Sequence, residues 1–228
     1  IMKAKKNYAY ARLERVVTPS SFRVPSKCRF ARQCGGCQIQ SLSYIEQLSY
    51  KNRKVRNNLI HIGGFEESFI DNIMEEPVGM EEPFYYRNKA QFPFGYDKEG
   101  DIITGFYAGR THSIIPNMDC ALGVPENEII LNKILEFMNI EGVSAYKEET
   151  LTGTIRHVLI RKGFATGQLM VCLVINADKL PKAEKLIESL KSISGMKSIS
   201  ISINKLKTNV IMGQETKLLW GEERIEDT

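Results

Sequence analysis

Apolar residues recur along this chain at two spacings, and each change from one to the other marks an element. Ile45, Leu48, Val55, Leu59 and Ile62 repeat at helical intervals, with Lys51, Arg53, Lys54 and Arg56 mostly on the opposite, polar side. Ser43 and Glu46 have capping-box spacing at the start of this helix, and Gly63-Gly64 stops it. Pro125 is placed as the first residue of a second helix running to about Asn139, with Ile130, Leu131, Ile134, Leu135 and Met138 as its buried stripe. A third helix spans 181–192 and ends before Gly195. Alternating or continuous β-rich runs predict the strands. Residues 88–95, 101–107 and 111–115 read as a meander, and 154–161 and 167–176 as an antiparallel pair. Strands at 197–204, 208–212 and 217–220 finish the chain. Pro93 has no N–H for a ladder, which places its strand at an edge or a bulge.

Near the N-terminus, residues 3–15 read as a basic strand closed by Thr18-Pro-Ser-Ser21, and 22–40 as a loop. Residues 66–82 carry seven acids with Pro77 and Pro83 following closely, so they read as a loop or linker that repels a polyanion. The order of elements predicts an α+β fold: a largely antiparallel sheet with helices on one face, preceded by a basic, cysteine-rich, metal-binding loop and helix. No apolar run approaches the length of about 20 residues that spans a bilayer, so no membrane partner is expected. Ile1 precedes Met2, residues 7–14 look like a strand without its partner, and 222–228 are polar; the chain reads as a piece of something longer.

Charge divides the chain sharply. Residues 1–56 hold 13 Lys or Arg against Glu14 and Glu46, and the remainder carries more acids than bases, leaving only +4 over all 228 residues. Tyr8, Tyr10, Phe22, Phe30, Tyr44 and Tyr50 are interleaved with those cations, the composition of a phosphate-binding surface with rings for base stacking.

Within the basic segment lies Cys28-Arg-Phe-Ala-Arg-Gln-Cys34-Gly-Gly-Cys37. Thiolates two or five residues apart on a glycine-bearing turn can converge on one soft metal, and a fourth sulfur from elsewhere completes the set. Cys120 follows a strand end that breaks into polar turn residues, whereas Cys172 lies in the apolar run 168–175 and reads as a small buried hydrophobe, so Cys120 is the better fourth ligand. Five cysteines leave one over from any disulfide framework and no export pattern is read, so a reducing, cytoplasmic setting is expected. Sulfur-only sites suit both zinc and iron–sulfur clusters. His61, His112 and His157 are scattered, no glycine-rich nucleotide loop is visible, and no complete active site can be assembled.

Several separated motifs occur together: Cys28-x5-Cys34-Gly-Gly-Cys37-Gln38 followed by Gln40, Tyr44, Gln47-Leu48 and Lys51; Tyr86-Arg87-Asn88-Lys89-x-Gln91; Gly105-Phe106-Tyr107; Cys120; and Ile155-Arg156-His157. In that order they resemble the 23S rRNA (uracil-5-)-methyltransferase family over nearly the whole chain. The resemblance implies a three-part protein: an N-terminal TRAM barrel, a central domain with a [4Fe-4S] cluster, and a C-terminal domain binding S-adenosylmethionine. Residues 1–24 would be a remnant of the OB-like TRAM barrel, 25–65 the iron–sulfur loop and basic helix, 66–84 an acidic linker, and 85–228 the central α+β domain. Cys28, Cys34, Cys37 and Cys120 match the family's cluster ligands. Its catalytic residues, a cysteine that attacks C6 of uracil and a base that removes the C5 proton, have no counterpart here, so the chain alone is expected to be inactive. The family's tRNA-modifying members characteristically lack the cluster, which implies 23S rRNA, in a single-stranded or loop region, as the partner of a monomer. Lys27, Arg29 and Arg32 beside the cysteines, and Arg53 and Lys54 on the first helix, are the expected RNA contacts, followed by Arg87, Lys89, Arg110 and Arg156. The rival reading is a free-standing zinc or iron–sulfur RNA-binding module without catalytic activity. An electron-transfer protein is disfavoured, because a lone cluster would need a redox partner surface.

Overall fold

In the computed structural model, which describes residues 1–228, the elements run β1 (Lys3–Ala4), β2 (Ala9–Tyr10), α1 (Tyr44–His61), α2 (Glu67–Ile73), β3 (Lys89–Tyr96), β4 (Ile102–Thr104), β5 (Phe106–Tyr107), β6 (Ile114–Ile115), α3 (Glu126–Glu141), β7 (Ile155–Lys162), β8 (Leu169–Ile175), α4 (Ala183–Lys191), β9 (Met196–Ile203) and β10 (Glu215–Gly221). They belong to two compact units, one made of residues 1–26 and 39–79, the other of 27–38 and 80–228.

In the first unit the expected basic strand shrinks to the hairpin β1–β2, with only Lys3↔Tyr10 and Ala4↔Ala9 paired. Helix α1 forms where the periodicity places it, but it buries none of its residues, and Ile45 stays 82% exposed. Ser43 makes no side-chain cap, and Glu46 turns along the helix to Arg53. The acidic stretch is not all loop: Glu67–Ile73 forms α2, with Ile70 buried. Glu67 and Asp71 on this helix grip the Arg56 guanidinium, holding the Asp71 carboxyl below the usual carboxylate range. Acidic residues in a first helical turn also suit the positive end of the helix dipole.

The second unit is built on a six-stranded sheet in the order β10-β9-β8-β7-β3-β4. It is mixed and not simply antiparallel: β8 and β9 run parallel, joined through α4, and the other neighbouring pairs are antiparallel. Alternate residues of the central strands, Phe92, Val158, Ile160, Val171, Leu173, Ile199 and Ile201, enter one apolar core with Ile130, Leu131, Ile134 and Met138 of α3 and Leu186 and Leu190 of α4. Helix α3 follows Pro125 directly and ends at Gly142 in the left-handed conformation (φ 68°). Both α3 and α4 lie against each other and against the sheet, α3 at β4 and α4 at β9 and β10.

Pro93 sits in an interior strand, contrary to the edge expectation. Residues 89–93 of β3 pair with β7, and 94–96 pair with β4, so Pro93, opposite His157, lies where the strand passes from one partner to the other. The strand expected at 208–212 does not form. Its carbonyls at Val210 and Ile211 accept instead from the Asn204 side-chain amide (2.8 and 3.0 Å), which fixes this stretch as a loop between β9 and β10.

Candidate metal centre

All four candidate ligands lie in the second unit, although Cys28, Cys34 and Cys37 are some eighty residues or more from Cys120 in sequence. The segment carrying the first three is wound into tight turns: the Ala31 N–H donates to the Cys28 carbonyl, and the Gln33 and Cys34 N–H groups both donate to the Phe30 carbonyl. It then docks beside β5. Gly35 N–H donates to the Tyr107 carbonyl (3.1 Å), Gly109 N–H to the Gln33 carbonyl (3.4 Å), and Cys34 bridges Ala108. The two segments pass so closely that a Cβ on Gly35 would stand 3.0 Å from the Gly109 Cα, so a larger residue there would push the two backbones slightly apart.

Cys120 is presented by the turn after β6, closed by Gly123 N–H donating to the Cys120 carbonyl (2.9 Å). Tyr85 and Arg87 pin that turn through N–H bonds to the Ala121 and Leu122 carbonyls (3.0 and 2.9 Å). Tyr85 adopts a positive φ of 55° to do so, a conformation that costs a non-glycine residue about 1 kcal/mol or more.

The sulfurs share one electrostatic environment. Burial, then Cys120 and Cys34, push the Cys37 thiol above its usual pKa; Arg87 opposes the rise, and Cys28 adds to it. Donors point at the sulfurs as well: Gly36 N–H approaches Cys34 Sγ at 3.4 Å, and buried Asn117 Nδ2 approaches Cys28 Sγ at 3.7 Å. None of the five cysteines is in a disulfide, and no three His, Cys, Asp or Glu side chains stand close enough to grip a single metal ion. A tetrahedral zinc site, with Zn–S of about 2.3 Å, brings its sulfurs to roughly 4 Å of one another. A polynuclear cluster interposes its own iron and sulfide and accepts a wider set. Four thiols with N–H groups and one cation nearby are a donor chemistry that both kinds of centre use. Cys172, by contrast, is buried in β8, where its thiol is pushed up by desolvation and pulled back by a Ser200 hydrogen bond.

The predicted RNA contacts fall into different surroundings. Around the cysteine turns, Lys27 is exposed with its ammonium over the Phe84 and Tyr85 rings (4.2 and 4.7 Å). Arg29 stacks on Phe30 and faces Asp119 at 3.6 Å, and Arg32 is exposed. Lys89 and Arg110 are exposed, Arg110 at a turn with φ 64°, whereas Arg87 is half-buried near the thiols. In the first unit Arg53 is held by Glu46 and Ser49, and Lys54 is exposed. Arg156 does not present itself to a polyanion. It lies at a bulge in β7, is only 7% exposed, donates to the Asn204 and Leu206 carbonyls (2.8 and 2.9 Å), and covers the Tyr146 ring. Two features have no signal in the spacing of the sequence: the approach of Asn117 to Cys28, and the meeting of the motifs at Tyr107 and His157, whose Oη and Nε2 atoms are 3.4 Å apart.

The chain matches no protein-family model. It is similar along its whole length to proteins named as uncharacterized RNA methyltransferases. One from Clostridium tetani is 42% identical over 228 residues, all of this chain and 48% of that protein. Another, from Halalkalibacterium halodurans, is 42% identical over 230 residues, all of this chain and 49% of that protein. The chain therefore spans about half the length of these curated relatives. Among solved structures it resembles the Pyrococcus abyssi tRNA (uracil-54, C5)-methyltransferase in complex with S-adenosyl-L-homocysteine, with a TM-score of 0.67 and 25% identity over 94% of this chain and 45% of that one. No helix is long and apolar enough to cross a membrane.

Proposed function

We propose that this chain is the [4Fe-4S]-bearing, RNA-recognising part of an S-adenosylmethionine-dependent methyltransferase that forms 5-methyluridine in 23S rRNA, with Cys28, Cys34, Cys37 and Cys120 holding the cluster. The observation that carries the reading is the shared environment of Cys37 with Cys120, Cys34 and Cys28, in a chain similar throughout to proteins named RNA methyltransferases. S-adenosylmethionine supplies the methyl group when bound, and its site is assigned to the half of the relatives that this chain does not cover. The chain's own residues recognise RNA: Lys27, Arg29 and Arg32 beside the cysteine turns, with Arg87, Lys89 and Arg110, and, in the other unit, Arg53 and Lys54. The cluster ties the basic turns to β5 and to the Cys120 loop and fixes their shape. Arg156 is left out of this set, since its guanidinium already holds two carbonyls.

Metal analysis tests the cluster directly. Anaerobically purified protein is expected to be brown, with about four iron and about four sulfide per chain; colourless protein carrying one zinc would overturn the assignment. A second substrate reading, tRNA, is favoured by the name of the Pyrococcus abyssi enzyme. Fragments of 23S rRNA and tRNA transcripts compared as ligands separate the two, and tighter binding of tRNA decides for the second.

The cationic contacts carry their own expectation. Three phosphates neutralised by Lys27, Arg29 and Arg32 give a slope near −0.7 per contact on single strands, so affinity should fall about 20-fold between about 50 and about 200 mM salt. A flat salt response removes the basic-surface argument.

A further inference from the structure

The second unit contains an open cleft of about 950 Å³ that the cysteine site does not use, bordered by β3, the β5–β6 loop, residues 146–149 and the β9–β10 loop. Most of its rings are already engaged. Lys147 covers Tyr96 at 4.6 Å and Arg156 covers Tyr146 at 4.4 Å. Tyr107 has one face on His112, with centroids 5.3 Å apart and planes 26° from parallel, and its hydroxyl toward His157. Of the rings that line the cleft, His112 is the exposed one. Its side chain is 62% exposed, and its edge is locked by Nδ1 2.7 Å from Glu148 Oε2. Such a ring is a stacking platform whose orientation is set before anything arrives.

Two further observations concern the lining. The wall behind the platform keeps two buried polar atoms without partners, His157 Nδ1 and Arg156 Nε, an arrangement that native interiors rarely leave unexplained. The lining carries four carboxylates and three Lys or Arg, so it offers no positive surplus to hold a phosphate. A flat, uncharged heterocycle suits that charge balance.

We infer that this cleft takes a single unpaired nucleobase of the bound RNA, stacked on the exposed ring of His112 and supported from behind by Tyr107. The inference rests on the RNA reading above and adds to it a base-holding site separate from the phosphate-binding cations. Because the site grips a base and not the backbone, its contribution is insensitive to salt, unlike theirs.

The test is anisotropy titration of the chain with a short fluorescein-labelled single-stranded RNA, at several salt concentrations, for wild type, His112→Ala and Tyr107→Phe. His112 is exposed, so its truncation leaves the fold intact, which thermal unfolding verifies. His112→Ala should weaken binding about tenfold with an unchanged slope of log affinity against log salt, and Tyr107→Phe, which keeps the ring, should stay close to wild type. One abasic position in the strand should cost as much, and the two losses should not add. Unchanged affinity of His112→Ala beside normal wild-type binding overturns the site, and so does a slope made shallower by about one phosphate. Wild type that binds no RNA overturns the RNA reading itself, which is a distinguishable result.

Discussion

Cys37→Ser is expected to bring bound metal below about a tenth of the wild-type content, while Cys172→Ser retains it. A serine hydroxyl stays neutral where a thiolate would bind, so the variant loses one soft ligand and one negative charge from a set whose members already sense one another. A second consequence concerns the attachment of the cysteine turns. Beside β5 they are held by the Gly35–Tyr107 and Gly109–Gln33 backbone bonds, each contributing a net of about 1 kcal/mol. Without metal these turns should detach locally, and limited trypsin digestion should cut after exposed Arg29 and Arg32 at least about ten times faster than in the metal-loaded protein. Full metal content in Cys37→Ser would remove it from the ligand set. Loss of metal in Cys172→Ser would mean that the buried strand cysteine had been misassigned.

The parts of this fold that could be read from sequence are those whose period is long enough to be unambiguous. Helices α1 and α3 appear within a few residues of their predicted ends because the apolar repeat, Pro125 and the terminal glycines agree. Helix α2 is missed because seven residues give the period barely two turns, and its acids, which suggest a linker, pair with Arg56. The parallel β8–β9 pair was legible in principle, since strand, helix and strand follow one another there and a crossover makes parallel neighbours. Residues 208–212 look like a strand by composition, and only the reach of Asn204 from the preceding strand decides otherwise.

The candidate site was legible to a different depth in each part. Three ligands stand in one spaced motif, whereas Cys120 could be chosen only because the other cysteine lies in an apolar run. The turn bearing Cys120 is held by backbone bonds from Tyr85 and Arg87, which no spacing encodes. Arg156 illustrates the converse. In an even strand register its neighbours would fix its face, but the bulge between Ile155 and His157 re-aims it inward onto two carbonyls. The same shift sets His157 toward Tyr107, fifty residues away, and so creates the cleft wall from two motifs that sequence could only place side by side.

His157 should also make this unit acid-labile, in a window set by its own titration. Burial, reinforced by the positive charge of Arg156 and opposed by Glu148, lowers its pKa from 6.5 to about 4. The folded state therefore holds the ring neutral while the unfolded chain takes up a proton near pH 6.5. Stability is complete above that value and declines as pH falls toward about 4, because across this interval only the unfolded state gains the proton. Below about 4 both states are protonated and the loss stops growing. A depression of this size corresponds to about 3 kcal/mol across the window. Urea unfolding at about pH 7 and about pH 4 measures it, with His157→Gln as the reference, since glutamine is neutral throughout and can still meet the Tyr107 hydroxyl. The exposed carboxylates with lowered pKa values, Asp71, Asp178 and Asp227, also lose stabilising interactions on acidification, but they do so equally in both proteins. The difference between the two pH dependences thus isolates the imidazole, and wild type should lose about 3 kcal/mol more than the glutamine variant. Parallel curves between pH 7 and pH 4 would mean that His157 is protonated in the folded state with its ordinary affinity, and that the wall of the cleft is wetter than its packing indicates.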